Sequence, residues 1–428
     1  MSREMKDSGI SWIGEIPSDW RIGHLKRLAR IKTGSTPSRS VEEYYSEKSG
    51  LPWIKPENLN SYDSVENTAE YLTAEGRVAG TVFPQNTVFA CCIASIGKIG
   101  YSNIEASCNQ QINGLIYNDL INWKYGFYSN VAANNEYLAR ANSSVQFILN
   151  STNQGYIQMP IPSIAEQEII STFLDSKCAA IDQVIQKQKD IVNKLMEYKQ
   201  STITQAVTKG LNPNVKMKDS EIDWIRRIPE SWDIIPLKVL FKENKKRNTD
   251  LTNSNLLSLS YGRIIQKNID SNFGLLPDNF SKYTIVNDGD IVLRLTDLQN
   301  DHKSLRTGLV TQSGIITSAY VTLTPKKKLC SRYFHYLLHS YDIQKVFYTM
   351  GEGIRQSLSY DELSRNIRLI MPSFKEQQSI ANYLDSKCLA IDESIKRSNK
   401  IIQKLEEYKK SLIYNAVTGK IDCRGEVK

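Results

Sequence analysis

One segment occurs twice in this chain at a constant offset. Pro162 to Leu211 reads PSIAEQEIISTFLDSKCAAIDQVIQKQKDIVNKLMEYKQSTITQAVTKGL. Pro372 to Ile421 reads PSFKEQQSIANYLDSKCLAIDESIKRSNKIIQKLEEYKKSLIYNAVTGKI. The offset is 210 positions without a gap, and about half of the positions are identical. A repeat this long is a duplicated half-protein, since solenoid units are far shorter. Each copy lacks Pro and Gly between its opening Pro-Ser and its closing Gly, so each reads as one long helix or two nearly continuous ones. Ser163 with Glu166, and Ser373 with Glu376, fit the capping box of a helix start.

Within each copy apolar residues recur at steps of four and three. The first carries Leu174, Cys178, Ile181, Ile185, Val192 and Leu195; the second carries Leu384, Cys388, Ile391, Ile395, Ile402 and Leu405. Gln188 and Ser398 interrupt the two series at equivalent places. A sustained 3.5-residue period is a coiled-coil seam. Two amphipathic helices packed on separate domains would also satisfy the pattern. Two matched seams in one chain pair more economically with each other, and antiparallel if a pseudo-twofold axis relates the halves. About 40 residues at a 1.5 Å rise make a rod of roughly 60 Å.

The duplication extends upstream. Lys6 to Leu28, KDSGISWIGEIPSDWRIGHLKRL, matches Lys218 to Leu240, KDSEIDWIRRIPESWDIIPLKVL. Trp12 and Trp20 correspond to Trp224 and Trp232, and read as core anchors at a domain entry. Between lead-in and helix lies a variable unit in each half. In the first, a polar loop (Lys32 to Arg39) precedes expected strands at Leu51–Ile54, Thr87–Ile93, Lys98–Tyr101 and Ile112–Tyr117, with a helix over about Trp123–Ala139. In the second, a basic loop (Lys242 to Arg247) precedes strands near Leu256–Tyr261, Asp290–Leu295, Gly308–Thr311 and Ala319–Leu323. A helix over about Arg332–Tyr348 and a Gly-rich loop, Gly351 to Arg355, follow. The expected fold is α+β: two α/β domains separated by two long helices forming an antiparallel intramolecular coiled coil, duplicated about a pseudo-twofold. The domains run 1–161, 162–211, 212–371 and 372–428.

Composition bounds the function. No apolar run approaches the roughly 20 residues of a membrane span, and MSREMKDSG lacks a signal-peptide core. Seven cysteines without CxxC pairs suit a reducing, cytoplasmic protein with no structural zinc. Net charge is +8 but uneven. Residues 1–160 carry 14 basic and 15 acidic groups, whereas 212–372 carry 23 and 17. A polyanion partner would therefore be held in the first half by local patches.

Catalytic signatures are sparse. There is no GxxxxGK[ST] loop, no Asn/Asp-Pro-Pro-aromatic sequence of an amino-methyltransferase, and no glycine loop placed for S-adenosylmethionine. His335 and His339 stand four apart on an expected helix. Tyr336 follows the first, where a HExxH site carries Glu, so no metal role is expected. Asp288 and Asp290 read as a turn before a strand. Binding remains. Basic and amide side chains that can reach phosphates and base edges cluster in the loops of both units. They are Lys32, Ser35, Thr36, Arg39, Lys98, Asn109, Gln110 and Gln111, then Lys245, Lys246, Arg247, Arg263, Arg294, Lys303, Arg306 and Arg355.

Over nearly its whole length the chain resembles the DNA-specificity (S) subunit of a type I restriction-modification system. The residues that carry the resemblance are SGISWIGEIPSDW and SEIDWIRRIPESW, KTGSTPSR, LPWIKPENL, ASIGKIGY with CNQQINGL, the paired PSIAEQEIISTFLDSKCAAID and PSFKEQQSIANYLDSKCLAID, and the tails AVTKG and AVTGKIDCRG. The resemblance implies a non-catalytic protein with two target-recognition domains, each reading half of an asymmetric bipartite site in double-stranded DNA. It implies methyltransferase subunits, two in number, and restriction-translocase subunits as partners, with methylation at adenine N6. S-adenosylmethionine, ATP and Mg would then belong to those partners and no cofactor to this chain. The helices would set the spacer between half-sites, whose separation must match protein geometry. The second unit departs from the pattern: it has Arg294-Leu295-Thr296-Asp297 and Thr317-Ser318-Ala319 where the first has Ile96-Gly97-Lys98 and Asn109-Gln110. A coiled-coil adaptor without sequence readout, or a specificity subunit of a type II-like enzyme, are the competing readings.

Overall fold

The computed structural model describes residues 3–59, 64–143, 147–267, 279–299, 301, 305–350 and 357–425. The chain divides into two compact units, Met1–Lys189 with Asn399–Lys428, and Asp190–Ser398. The fold is α+β, and both long helices run unbroken from one unit into the other.

The first unit is built on a four-stranded antiparallel sheet: β1 (Ala29–Thr33), β2 (Thr87–Cys91), β3 (Ile99–Ser102) and β4 (Ile112–Tyr117), in the order β3-β2-β4-β1. β2 is buried along its whole length because both sheet faces are covered. Side chains alternate along a strand, so Val88 and Ala90 enter the core formed with the helices while Phe89 and Cys91 enter a second core on the opposite face. That second core carries a five-stranded sheet of short strands, including a parallel pairing of Ala106–Cys108 with Leu51–Ile54.

Helix α1 (Trp123–Ala132) packs on the helical side, followed by the long helix α2 (Ile164–Lys209). The sequence suggests one helix over Trp123–Ala139, but Ala133 leaves helical geometry with ψ near 11° and a separate helix spans Asn134–Ala139.

The second unit repeats this plan. β5 (Phe241–Glu243), β6 (Ile291–Leu293), β7 (Thr307–Leu309) and β8 (Val321–Pro325) form a sheet in the order β5-β8-β6-β7, equivalent to β1-β4-β2-β3. Ile291 and Leu293 face the helical core and Val292 the opposite one. The basic loop expected from Lys242 is partly strand, since Lys242 pairs with Thr324 within this sheet. Helix α3 (Ser331–Ile343) ends before Lys345, whose left-handed φ of 61° breaks the ladder that the sequence suggests would continue to Tyr348. The long helix α4 (Phe374–Val417) closes the plan.

The same polar contacts hold each unit to its helices. Trp20 donates its indole N–H to Glu166 at 3.0 Å, and Trp232 does so to Glu376 at 3.0 Å. The Tyr125 hydroxyl lies 3.0 Å from the Pro160 carbonyl and 3.1 Å from that of Val417; Tyr333 reaches Ile370 and Val207 in the same way. Tyr128 donates to Asp175, and Tyr336 to Asp385. These residues lie in KYGFY (Lys124–Tyr128) and RYFHY (Arg332–Tyr336), a repeat at offset 208 that the reading of the variable units missed.

In each unit the helices pack antiparallel. Leu174, Cys178, Ile181 and Ile185 of α2 share the first unit's core with Leu412, Ile413 and Ala416 of α4, and Ile402 and Leu405 lie against it. Ile203, Ala206 and Val207 share the second unit's core with Ile380, Leu384 and Cys388; Ile391 is buried, and Val192, Leu195 and Ile395 are half-buried. The Lys409 ammonium meets Asp182 at 2.7 Å in the first unit, and Lys199 meets Asp392 at 2.6 Å in the second. Asp182 and Asp392, like Lys199 and Lys409, are 210 apart, so one ion pair appears twice. Among the described residues, no helix is long and apolar enough to cross a membrane.

His335 and His339 lie inside the second unit, their rings 6.2 Å apart. Burial pushes His335 down to about 4 and His339 down to about 3, from an ordinary 6.5. Folding thus keeps both rings neutral, while the unfolded chain takes up protons near 6.5. Their stabilisation is complete above that pH and falls as pH drops toward 4. At pH 5 each ring is expected to lower stability by up to about 2 kcal/mol relative to pH 7. Urea denaturation at the two pH values checks this. The double variant His335→Leu/His339→Leu should lose most of the difference, and an unchanged difference would refute the assignment.

Candidate nucleic-acid interface

In the first unit, distant loops converge on the sheet side away from the helices. Gly34 donates its N–H to Ile112 and Ser35 to Cys108, both at 2.9 Å, which pins the loop after β1 against the loop before β4. The approach is too close for a side chain: a Cβ at Gly34 would lie 2.3 Å from the Cys108 carbonyl oxygen. Thr36 bonds Gln110 across this junction. Asn109 is buried and ties its own loop, donating Nδ2 to Gln111 and accepting the Gln111 N–H. Its backbone N–H reaches the Ile54 carbonyl at 3.0 Å.

Ser35 accepts the Trp53 indole N–H on its carbonyl and the Thr81 N–H on its hydroxyl. Half-buried Lys98 points its ammonium toward the Pro56 carbonyl, and exposed Lys32 stands 5.8 Å from the Phe83 ring. Seven of the eight candidates in this unit therefore belong to one connected set of loops, in which Asn109 is buried and beside which Lys32 stands on β1.

The same surface holds residues that the sequence reading left out. Arg39 donates to both Glu70 oxygens, at 2.7 and 3.1 Å, and Lys55 bonds the same carboxylate. The Arg39 guanidinium lies 4.1 Å from the Tyr45 ring centre and 4.7 Å from that of Trp53. Hydrogen bonds from Arg39 and Lys55 hold Glu70 down at about 2. The alternation of aromatic and basic residues in Trp53-Ile54-Lys55 was the available signal. Glu70 had none, because its partners are 15 and 31 positions away.

The second unit spreads its candidates over three places. Lys245, Lys246 and Arg247 are exposed after β5; Lys245 pairs with Glu243, and Arg247 donates to the Thr284 hydroxyl at 2.8 Å. Arg263 starts the second strand of a hairpin and pairs with Asp392 on α4 at 2.8 Å, next to Lys199. Half-buried Arg294 stands 3.6 Å from Asp301. Arg306 is fully buried and spends its side chain on backbone carbonyls and Tyr348, which removes it from any surface. Lys303, Arg355 and the Gly351–Arg355 loop lie outside the described residues. Asp290 is buried and accepts the Asn287 N–H and the Thr324 hydroxyl, as a turn before β6 requires.

The two units thus carry different loops on one duplicated sheet-and-helix frame. Seven residues separate β2 from β3, against thirteen between β6 and β7.

Residues 17–203 match the family described as the type I restriction modification DNA specificity domain. The chain is 24% identical to the putative type I restriction enzyme MjaX specificity subunit of Methanocaldococcus jannaschii, covering 96% of this chain and 95% of that one. It is 22% identical to the type I restriction enzyme EcoBI specificity subunit of Escherichia coli, covering 99% and 90%. A shorter match to the MjaIX specificity subunit of M. jannaschii is 28% identical and spans 43% of each chain. The fold is similar to a chain solved in work on complex assembly and conformational transition of the type I restriction-modification system. That match has a TM-score of 0.68 at 12% identity and covers 95% of this chain and 99% of that one. Over residues 17–203 the chain thus matches the DNA-specificity domain of type I restriction-modification systems, and along nearly its whole length it is similar to their specificity subunits.

Proposed function

We propose that each unit presents one target-recognition domain, residues 1–161 and 212–371, and that each reads one half of an asymmetric split site in double-stranded DNA. The helical regions 162–211 and 372–428 join the domains and set the unread gap. The observation that carries this reading is the pair of divergent loop surfaces on matched sheets. A duplicated frame keeps two readers in equivalent settings, and unlike loops let them read unlike sequences. Exposed Lys32, Lys245, Lys246 and Arg247 suit phosphate contacts, while Thr36, Arg39, Gln110 and Gln111 suit base edges. Arg306 has a structural role.

The chain itself is the non-catalytic member. Methyltransferase subunits supply adenine N6 methylation with S-adenosylmethionine, and restriction subunits supply ATP- and Mg-dependent cleavage. Ile191 and Tyr198 on α2 are 43% and 55% exposed, and Ile401 and Tyr408 on α4 are 43% and 57% exposed. Each pair is seven residues apart, and the pairs are 210 apart. Such a repeated apolar stripe suits docking of two methyltransferase copies in equivalent ways.

Methylome sequencing of cells expressing this chain with its cognate methyltransferase subunit tests the reading. N6-methyladenine should appear at one split motif with a fixed gap, and only when this chain is present. Purified complex should bind that site with an affinity that falls steeply with salt. An active, bound methyltransferase that methylates no new motif would refute the reading and favour a purely structural adaptor.

A further inference from the structure

We propose that Arg39 reads a guanine in the half-site taken by the first unit, and that Glu70 is the residue that positions it. The proposal rests on the DNA-specificity reading above and names one base contact within it.

The geometry points to a plane being held rather than a charge being displayed. Glu70 grips the two terminal nitrogens of Arg39, and the adjoining rings of Tyr45 and Trp53, 5.4 Å apart, pack against the guanidinium. One Nη–H is left on each terminal nitrogen, together with Nε–H, and no acceptor among the described residues takes them. Nε–H and the neighbouring Nη–H form an edge with two parallel donors. Guanine offers two parallel acceptors, O6 and N7, in the major groove, and the arginine fork is matched to them. The side chain is 49% exposed, so this edge is accessible.

A phosphate anchor would be built differently. It needs net positive charge, and Glu70 removes one unit from the Arg39 and Lys55 pair. The carboxylate weakens attraction to a phosphate but fixes the guanidinium against rotation. Glu70 remains ionised at any working pH, since its partners hold it at about 2. The loop that carries Arg39 is equally constrained. Gly34 and Ser35 are pinned by backbone bonds, Ser35 accepts the Trp53 indole, and Pro37 accepts the Tyr45 hydroxyl at 2.6 Å. The two rings that pack against Arg39 thus also hold its loop. An isolated surface ion pair would be worth little; here rings, loop and carboxylate fix one side chain in one orientation.

The test uses the full chain in complex with its cognate methyltransferase subunit. The split motif of the wild type is mapped by methylome sequencing, and binding is measured on duplexes carrying that site. The first half-site should contain a guanine at which Arg39→Ala and Arg39→Lys become indifferent to the base. Binding to the parent site should fall roughly tenfold to hundredfold, the loss of one bidentate contact. The remaining positions and the whole second half-site should be unchanged. Glu70→Gln should loosen the same position, less severely. Replacing that guanine by 7-deazaguanine, which lacks the N7 acceptor, should weaken the wild type and leave Arg39→Ala unaffected; the wild-type arm needs no variant to fold.

Three results overturn the proposal while the DNA-specificity reading stands. They are a first half-site without guanine, a uniform loss of affinity on all sequences with a flatter salt dependence, and an unchanged motif with only a lowered melting temperature. A wild type that directs no methylated motif would instead sink the specificity reading itself.

Discussion

Removing Gln183–Lys189 and Glu393–Asn399, one heptad from each long helix, is expected to shorten the unread gap by about three base pairs while both half-sites stay the same. Seven residues at 1.5 Å per residue remove roughly 10 Å of helix, and DNA rises about 3.4 Å per base pair. A heptad is the right unit because the seam repeats every seven residues. After the cut, Ile181 is followed at the four-residue step by Val192, and Ile391 by Ile402. Both ion pairs, Asp182 with Lys409 and Lys199 with Asp392, lie outside the deleted segments, and so do Ile191, Tyr198, Ile401 and Tyr408. Three base pairs also turn the second half-site by roughly 100° about the DNA axis, at 10–10.5 base pairs per turn. Binding should therefore weaken as the gap changes. Methylome sequencing of cells carrying the shortened chain and its methyltransferase partner reads the result. A motif with the original gap would show that these helices do not set the spacing.

Arg306→Ala should destabilise the second unit by about 3–5 kcal/mol, because several buried acceptors lose their donors at once. Arg306 is among the largest fully buried side chains. Its five N–H donors meet five acceptors: the carbonyls of Arg294, Thr296, Asp297 and Asp301, and the Tyr348 hydroxyl. Its backbone N–H donates to the buried Asp342 carboxylate at 2.7 Å. Removing the guanidinium strands those carbonyls inside the fold, and each stranded polar group costs about 1–3 kcal/mol. Lysine cannot serve the set, since it brings three donors from one point. Urea denaturation should show a lower midpoint for Arg306→Ala and for Arg306→Lys. DNA binding by the folded fraction should keep its salt dependence. Undiminished stability with uniformly weakened DNA binding would place Arg306 at the DNA surface after all.

The residues of the candidate surface show why sequence reading reached only part of it. Ser35, Thr36 and Arg39 stand in a polar loop that announces itself, and Asn109, Gln110 and Gln111 form an amide run that does the same. Their meeting was not legible, because the Thr36–Gln110 contact joins residues 74 apart. Glu70 was invisible for the same reason. Arg306 and Arg247 looked alike in sequence, each a basic residue in an expected loop or strand edge. One is sealed inside the fold and the other is exposed.

The long helices were legible down to their register, because a helix is a local object. Hydrogen bonds join residues four apart, and a seam repeating every seven residues is written directly in the chain. A gapless 210-residue offset then declares the duplication without any coordinates. KYGFY and RYFHY carried the same information for the tyrosines that bind each unit to its helices, in five residues too short to notice alone. Tertiary structure alone decided which basic side chains remain in water and which loops share a surface. Burial and convergence depend on strand order, and β1 lies beside β4 because of sheet pairing between segments some 80 residues apart. No local pattern encodes that neighbourhood. The sequence by itself therefore determined a duplicated, helix-joined protein, and packing determined which of its arginines stay exposed.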